Sequence, residues 1–155
     1  MAFLPVGTPV PDLPLPDQDG QLLRLSDFRG KKVALFFYPE DNSGTCTKEA
    51  CSLRDGYAEL KAQGFEVLGV SPDSEASHKK FIAKQNLPYR LISDPDRKWI
   101  EAFGAWGEKS MYGKTYMGLL RTTFLIDEEG KISHVIEKVK SAEHAAQILS
   151  LVGPA

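Results

Sequence analysis

Cys46 and Cys51 are the only thiols in this 155-residue sequence, and they stand five residues apart at the end of the stretch YPEDNSGTCTKEAC, Tyr38 to Cys51. A pair cannot supply the four ligands of the usual zinc patterns. Nor does the spacing match the C-x-x-C of dithiol redox motifs. Cys46 follows a short polar loop, Glu40 to Thr45, and falls in the first turn of a predicted helix. Unpaired backbone N–H groups and the positive end of the helix dipole favour an anion there. Free thiols, with pKa near ~8.5, can drop to roughly 3.5–7.5 in such surroundings, and the thiolate is the reactive species. Cys46 is therefore the candidate nucleophile. On an ideal helix a five-residue offset means a rise of about 7.5 Å and a rotation of about 140°, placing the two Cα atoms about 8.6 Å apart. A disulfide needs roughly 4.4–6.8 Å. The two sulfurs can bond only if the first helical turns unwind. The spacing leaves two readings open: a redox pair, or two unrelated buried thiols, since free cysteine is among the most buried residue types.

The elements that must position these residues are legible around them. Val33 to Tyr38 is continuously apolar and rich in strand formers, as a central strand buried on both faces should be. It runs into Pro39 and the polar loop. The helix that follows carries Ala50, Leu53, Tyr57 and Leu60 at offsets of one helix face, with Cys46 on that inward face and Gln63-Gly64 as its stop. Phe65 to Ser71 is a second buried strand, parallel to the first across the helix. Ser71-Pro72-Asp73-Ser74 starts a helix running to about Asn86 and burying Phe81 and Ile82. A strand at Arg90–Ser93 and a short helix over about Asp96–Phe103 come next. Gly104 to Gly118 has no clear period and reads as a loop. Arg121–Asp127 and Lys131–Val139 read as strands joined by the turn Glu128-Glu129-Gly130. Ser141 is expected to cap a last helix burying Ala145, Ile148, Leu149 and Val152. Five of the ten prolines lie in residues 1–16, so the chain starts extended, and Asp17-Gln18-Asp19-Gly20 should turn a small hairpin pairing Leu13/Leu15 with Leu23/Leu25. The sum is an α/β chain with a central mixed sheet flanked by helices and an N-terminal β-hairpin. Its length suits one domain, 1–155.

Bulk properties narrow the chemistry. Net charge is 19 − 21 = −2 with no long basic run, which argues against nucleic acid or an anionic membrane as partner. No apolar run approaches the roughly 20 residues of a membrane span. The start MAFLPVGTPVPDLPLP lacks a basic n-region and an apolar core, so it does not read as a signal peptide. Two cysteines do not form a secreted disulfide framework, and a cytoplasmic location is the expectation. His78, His134 and His144 are scattered, with surface or capping roles expected. Trp99, Phe103, Trp106, Tyr112 and Tyr116 are expected mostly to pack in core or loops.

The stretch Pro39-x-x-x-Ser43-x-x-Cys46 resembles the active-site signature P-x-x-x-T/S-x-x-C of peroxiredoxins, and a second cysteine five residues later, Cys51, resembles their Q-type branch, the bacterioferritin comigratory protein group. The likeness extends through PDLPLPDQDG, VALFFYPE, FEVLGVS, AWGEKSMYGKTYMG and RTTFLIDEEGKI, nearly the whole chain. The resemblance implies a thioredoxin-like fold and a thiol-dependent peroxidase acting on hydrogen peroxide and organic hydroperoxides. It implies that Cys46 is the peroxidatic nucleophile, becoming a sulfenic acid, and that Cys51 resolves it as an intramolecular Cys46–Cys51 disulfide. Arg121 would hold the thiolate and bind peroxide oxygen, the Ser43 hydroxyl would hydrogen-bond substrate, Pro39 would shield the sulfur, and the Cys46 N–H would complete the donor set. Thioredoxin or a glutaredoxin-like dithiol would recycle the disulfide. No metal, haem, flavin or other cofactor is implied, and a monomeric or weakly associating protein is expected. Serine stands at 43 where threonine is commoner, keeping the hydroxyl but losing the methyl that limits rotamers. Glu49 matches an acidic position of the family, although an exposed helical glutamate is the reading favoured here. Two rival functions remain: a protein disulfide oxidoreductase, and a peroxide-sensing redox switch with little turnover.

Overall fold

The computed structural model describes residues 3–152. Its centre is a five-stranded sheet of β3 (Lys32–Phe37), β4 (Phe65–Ser71), β5 (Arg90–Ser93), β8 (Thr122–Ile126) and β9 (Ile132–Ile136), in the order β5-β4-β3-β8-β9. The β3–β4 and β4–β5 pairs are parallel, and β3–β8 and β8–β9 antiparallel. The sheet is mixed, as the sequence predicts. The apolar run at β3 feeds two cores because successive side chains point to opposite faces. Val33, Leu35 and Phe37 pack with Leu15, Leu23, Trp99 and Phe103. Ala34, Phe36 and Tyr38 pack on the other face with Cys46, Ala50, Leu53 and Phe81.

That second face is covered by α1 (Gly44–Asp55), α2 (Tyr57–Ala62), α3 (Glu75–Gln85) and α5 (His144–Val152). The single expected helix from Cys46 to Gln63 is thus two, broken at Gly56. A Cβ there would strike the methyl of Ala145 on α5, so glycine permits the close approach. The helix α3 starts at its Ser74 cap and ends at Asn86, which takes the left-handed conformation at φ 53°. The short α4 (Lys98–Ala102) lies within the predicted range.

The N-terminal hairpin is present but minimal, β1 (Leu15–Pro16) against β2 (Leu22–Leu23), with Leu15 opposite Leu23. Two expectations are corrected. The stretch 104–118 contains a hairpin, β6 (Trp106–Met111) and β7 (Lys114–Leu119), rather than a loop. Its turn residues Tyr112 and Gly113 have φ of 52° and 77°, the positive values that a tight two-residue hairpin turn requires. Residues 114–117 are exposed, so no buried face imposes an apolar alternation on the sequence. Ser141 does not cap the last helix; it lies in a 3₁₀ turn, Ser141–Glu143, that leads into α5.

Candidate active site

The strand β3 ends at Phe37, opposite Thr122 in the register with β8. Arg121, the residue before Thr122, therefore lies at the C-terminal end of β3, where the chain enters the polar loop and α1. Open α/β sheets commonly bind ligands at this edge. Ser43 caps α1: its Oγ accepts the Cys46 N–H at 3.2 Å, an interaction worth about 1 kcal/mol to the helix start. This fixes the serine orientation that the missing methyl left open. It also engages the Cys46 N–H, which the sequence reading had assigned to substrate. Pro39 is half-buried at the head of the same loop.

Cys46 is 1% exposed. Its Sγ accepts a hydrogen bond from Arg121 Nη2 at 3.1 Å, while Nη1 of the same guanidinium donates to Glu49 Oε1 at 2.6 Å. One planar fork thus spans two residues three apart on α1. Burial would lower the Arg121 pKa, but the Glu49 carboxyl and the Cys46 sulfur beside it outweigh that, so the guanidinium is held above its ordinary value. The expectation of an exposed Glu49 is wrong: the side chain is fully buried. The signal was present, since Cys46, Glu49, Ala50 and Leu53 form one helical stripe. Burial pushes the Glu49 carboxyl up to about 7, although the Arg121 contact opposes the rise.

Two of the histidines are also misjudged by sequence. His144 is fully buried, with Nε2 2.7 Å from Thr123 Oγ1 and 3.5 Å from Glu49 Oε2. Burial pushes its pKa down to about 4, so the ring is neutral near pH 7. His78, also fully buried, bonds through Nδ1 to Asp41 Oδ2 at 2.8 Å and through Nε2 to the Ile92 carbonyl at 3.0 Å. Tyr38 and Ser77 donate hydroxyls to Asp41 at 2.6 and 2.7 Å. Burial raises the Asp41 carboxyl, but the His78 contact and these hydroxyls outweigh it and hold the pKa below the usual value. The Asp41 N–H donates to Asp73 Oδ2 at 2.7 Å. Among the described residues Asp41, Asp73 and His78 are the one group spaced to hold a cation. The hydrogen bonds that already engage them anchor the loop between Pro39 and Ser43.

Cys51 faces away from Cys46. Its Sγ donates to Gln85 Oε1 on α3 at 3.4 Å, and the Tyr89 hydroxyl donates to the Ala50 carboxamide oxygen of the backbone at 2.7 Å. Both thiols are free. The structure therefore groups Cys46, Ser43, Pro39 and Arg121 at one edge of the sheet and directs Cys51 elsewhere. Of the aromatics, Trp99 and Phe103 are core, whereas Tyr112 and Tyr116 are exposed on the hairpin.

Comparison with known proteins places the chain in a family. The AhpC/TSA family model matches residues 6–135. Peroxiredoxin Bcp of Escherichia coli strain K12 is 45% identical over 147 residues, covering 95% of this chain and 94% of that protein. Peroxiredoxin Bcp of Bacillus subtilis strain 168 is 44% identical over 144 residues, covering 93% and 92%. A mutant PrxQ of Xylella fastidiosa superposes with a TM-score of 0.91 at 31% identity, covering 98% of this chain and 97% of that one. A structure of the Xanthomonas campestris bacterioferritin comigratory protein, concerned with its alkyl peroxide reduction activity, has a TM-score of 0.85 at 37% identity, covering 90% and 89%.

Proposed function

The chain belongs to the AhpC/TSA family, in its Q-type, bacterioferritin comigratory protein branch, and is a thiol-dependent peroxidase on a thioredoxin-like fold; on that premise we propose that Cys46 is its peroxidatic cysteine and Cys51 its resolving cysteine. Peroxide is the substrate class and a thiol the reductant. The observation that carries the residue assignment is the Arg121 fork, donating at 3.1 Å to the Cys46 sulfur.

In the proposed cycle the Cys46 thiolate attacks one peroxide oxygen. The S–O bond forms as the O–O bond breaks, and the leaving alkoxide or hydroxide takes up a proton. Arg121 holds the sulfur in place and stabilises the charge that moves onto oxygen, the largest usual catalytic term. The Ser43 Oγ accepts from the Cys46 N–H, which leaves its own hydrogen free to donate to peroxide. Pro39, half-buried at the head of the loop, would shield the sulfur. Cys51 then attacks the sulfenic sulfur, releasing water and forming the disulfide. The opposed directions of the two thiols support unwinding of the start of α1 before this step.

Thioredoxin, or a glutaredoxin-like dithiol, is the proposed reductant, acting by exchange on that disulfide. A single domain over 1–155, acting as a monomer in the cytoplasm, is part of the same reading. Two core clusters on opposite faces of one shared sheet support the single domain. Among the described residues no helix is long and apolar enough to cross a membrane. NADPH oxidation coupled through thioredoxin reductase and thioredoxin tests the reductant. Turnover with hydrogen peroxide is expected. Turnover with glutaredoxin alone would replace thioredoxin in the scheme.

A further inference from the structure

Glu49 Oε2 is the one buried side-chain polar atom among the described residues that lacks a hydrogen-bond partner. Its nearest ring nitrogen is His144 Nε2, at 3.5 Å. The hydrogen positions on that ring follow from its neighbours. The Gln147 side-chain amide donates to the Lys138 carbonyl at 2.8 Å, while its Oε1 accepts from the Lys140 N–H at 3.0 Å. This orientation makes Oε1 an acceptor toward His144 Nδ1, 2.9 Å away, so Nδ1 carries the hydrogen. In the neutral ring Nε2 is then an acceptor. The Thr123 hydroxyl, 2.7 Å away, already donates to that nitrogen, so a carboxylate Oε2 facing it stays without a donor, whereas a protonated carboxyl can share Nε2 as an acceptor.

On the other side of Glu49, one guanidinium serves two acidic groups, Cys46 at 3.1 Å and Glu49 at 2.6 Å. With both ionised, the buried cluster would carry a net negative charge. Among the described residues, the two other titratable groups beside it do not neutralise that charge. His144 is neutral, and Tyr89 has its phenol pushed up by burial and then by Glu49 itself, so it remains protonated. Burying unpaired charge is costly, and a titratable group escapes the cost by taking a proton.

Resting on the assignment of Cys46 as nucleophile, we infer that Glu49 stores the proton that balances the reaction: it is a neutral acid donating toward His144 while Cys46 is a thiolate, and becomes a carboxylate on Arg121 once the thiolate is consumed. The balance is Cys46–S⁻ + Glu49–COOH + ROOH giving Cys46–SOH + Glu49–COO⁻ + ROH. Sulfur is oxidised, the peroxide oxygens are reduced, and the proton that Glu49 gives up equals the one the leaving alkoxide takes. Arg121 faces one anion before and one after. The value of about 7 to which burial pushes Glu49 lets this exchange run near neutral pH. His144 is here a positioning residue, acting through Glu49.

The test uses the Cys51→Ser protein, in which oxidation halts at the sulfenic acid. One equivalent of hydrogen peroxide is added near pH 7, and infrared difference spectra are recorded alongside mass spectra. The expected result is loss of a protonated-carboxyl band on oxidation, with gain of a carboxylate band. The lost band should shift with isotopically labelled glutamate and be missing in Glu49→Gln. A Cys46 sulfenic acid formed with no carboxyl change, or a band that survives in Glu49→Gln, overturns the inference and leaves the nucleophile assignment standing. No sulfenic acid at Cys46 overturns both. His144 is tested separately by Thr123→Val, which removes a hydroxyl competing for Nε2. The alkaline limb of the Cys46 oxidation rate should move to higher pH as the neutral form of Glu49 is favoured. An unmoved limb overturns the role of His144.

Discussion

Replacing Arg121 by methionine removes the cation while keeping much of the aliphatic stem, and both of its consequences can be worked from the contacts. The guanidinium makes two charge-assisted contacts, at 2.6 Å to Glu49 and 3.1 Å to Cys46. Losing one preorganised donor at a site of developing charge costs roughly 3–4 kcal/mol of barrier, about a hundred- to a thousandfold in rate. The second-order rate constant for oxidation of Cys46 should fall by that factor. Stability should fall much less. Breaking a buried ion pair from one side typically costs about 3–5 kcal/mol because a charge is left uncompensated. Glu49 has an escape: burial already pushes it up to about 7, so without Arg121 it stays protonated at neutral pH. The expected loss is about 1–2 kcal/mol, the scale of an unmade hydrogen bond. Arg121→Lys keeps the charge but cannot place two parallel donors, and should fall between wild type and Arg121→Met. Quenched-flow alkylation of the remaining thiol gives the rate, and denaturant unfolding gives the stability. A folded Arg121→Met protein oxidised within tenfold of the wild-type rate would refute the reasoning.

Three further expectations concern the same helix. Forming the Cys46–Cys51 disulfide must break the Ser43 cap, the Arg121–sulfur contact and the Tyr89 bond to the Ala50 carbonyl; amide exchange over the first turns of α1 should therefore be faster in the oxidised protein, and equal protection in both states would contradict the unwinding. Glu49 has a raised folded-state pKa, so its contribution is fully present below the ordinary 4.5 and is lost as pH rises through about 7, by about 3 kcal/mol. His144, depressed from 6.5 to about 4, contributes with the opposite slope: fully present above 6.5 and lost as pH falls through about 4. The two nearly cancel in wild type, and the stability of Glu49→Gln relative to wild type should rise by about 3 kcal/mol between pH 4.5 and 7; a pH-independent difference in urea unfolding would show that Glu49 is ionised throughout. In Cys51→Ser the sulfenic acid lacks its resolving partner, so mass spectra under excess peroxide should show sulfinic acid at Cys46 at lower peroxide than in wild type.

What could be read in the sequence followed the hydrophobic signal. The strands β4 and β5 fall at the residues expected, and β3 within one, because buried parallel strands are continuous apolar runs. The hairpin β6–β7 was missed because exposed strands carry no such pattern; only the positive φ values at Tyr112-Gly113, invisible in sequence, define its turn. Within the site, the resemblance marked Cys46, Ser43, Pro39 and Arg121. The polar groups behind them were underestimated. Glu49, His78 and His144 are buried by helices that converge from distant parts of the chain. Sequence alone gave Glu49 an exposed reading and the two histidines surface or capping roles. The glycine at 56, where the helix breaks, has the same origin: Ala145, about ninety residues away, leaves no room for a Cβ there.

The central claim, attack by Cys46 followed by capture by Cys51, is tested most directly by peptide mass spectrometry after one equivalent of hydrogen peroxide on wild type, Cys46→Ser and Cys51→Ser. The account predicts an intramolecular Cys46–Cys51 disulfide in wild type, a sulfenic acid at Cys46 in Cys51→Ser, and no peroxide consumption by Cys46→Ser. Oxidation of Cys51 at the wild-type rate in Cys46→Ser, or a wild-type product lacking the 46–51 bond, would contradict it.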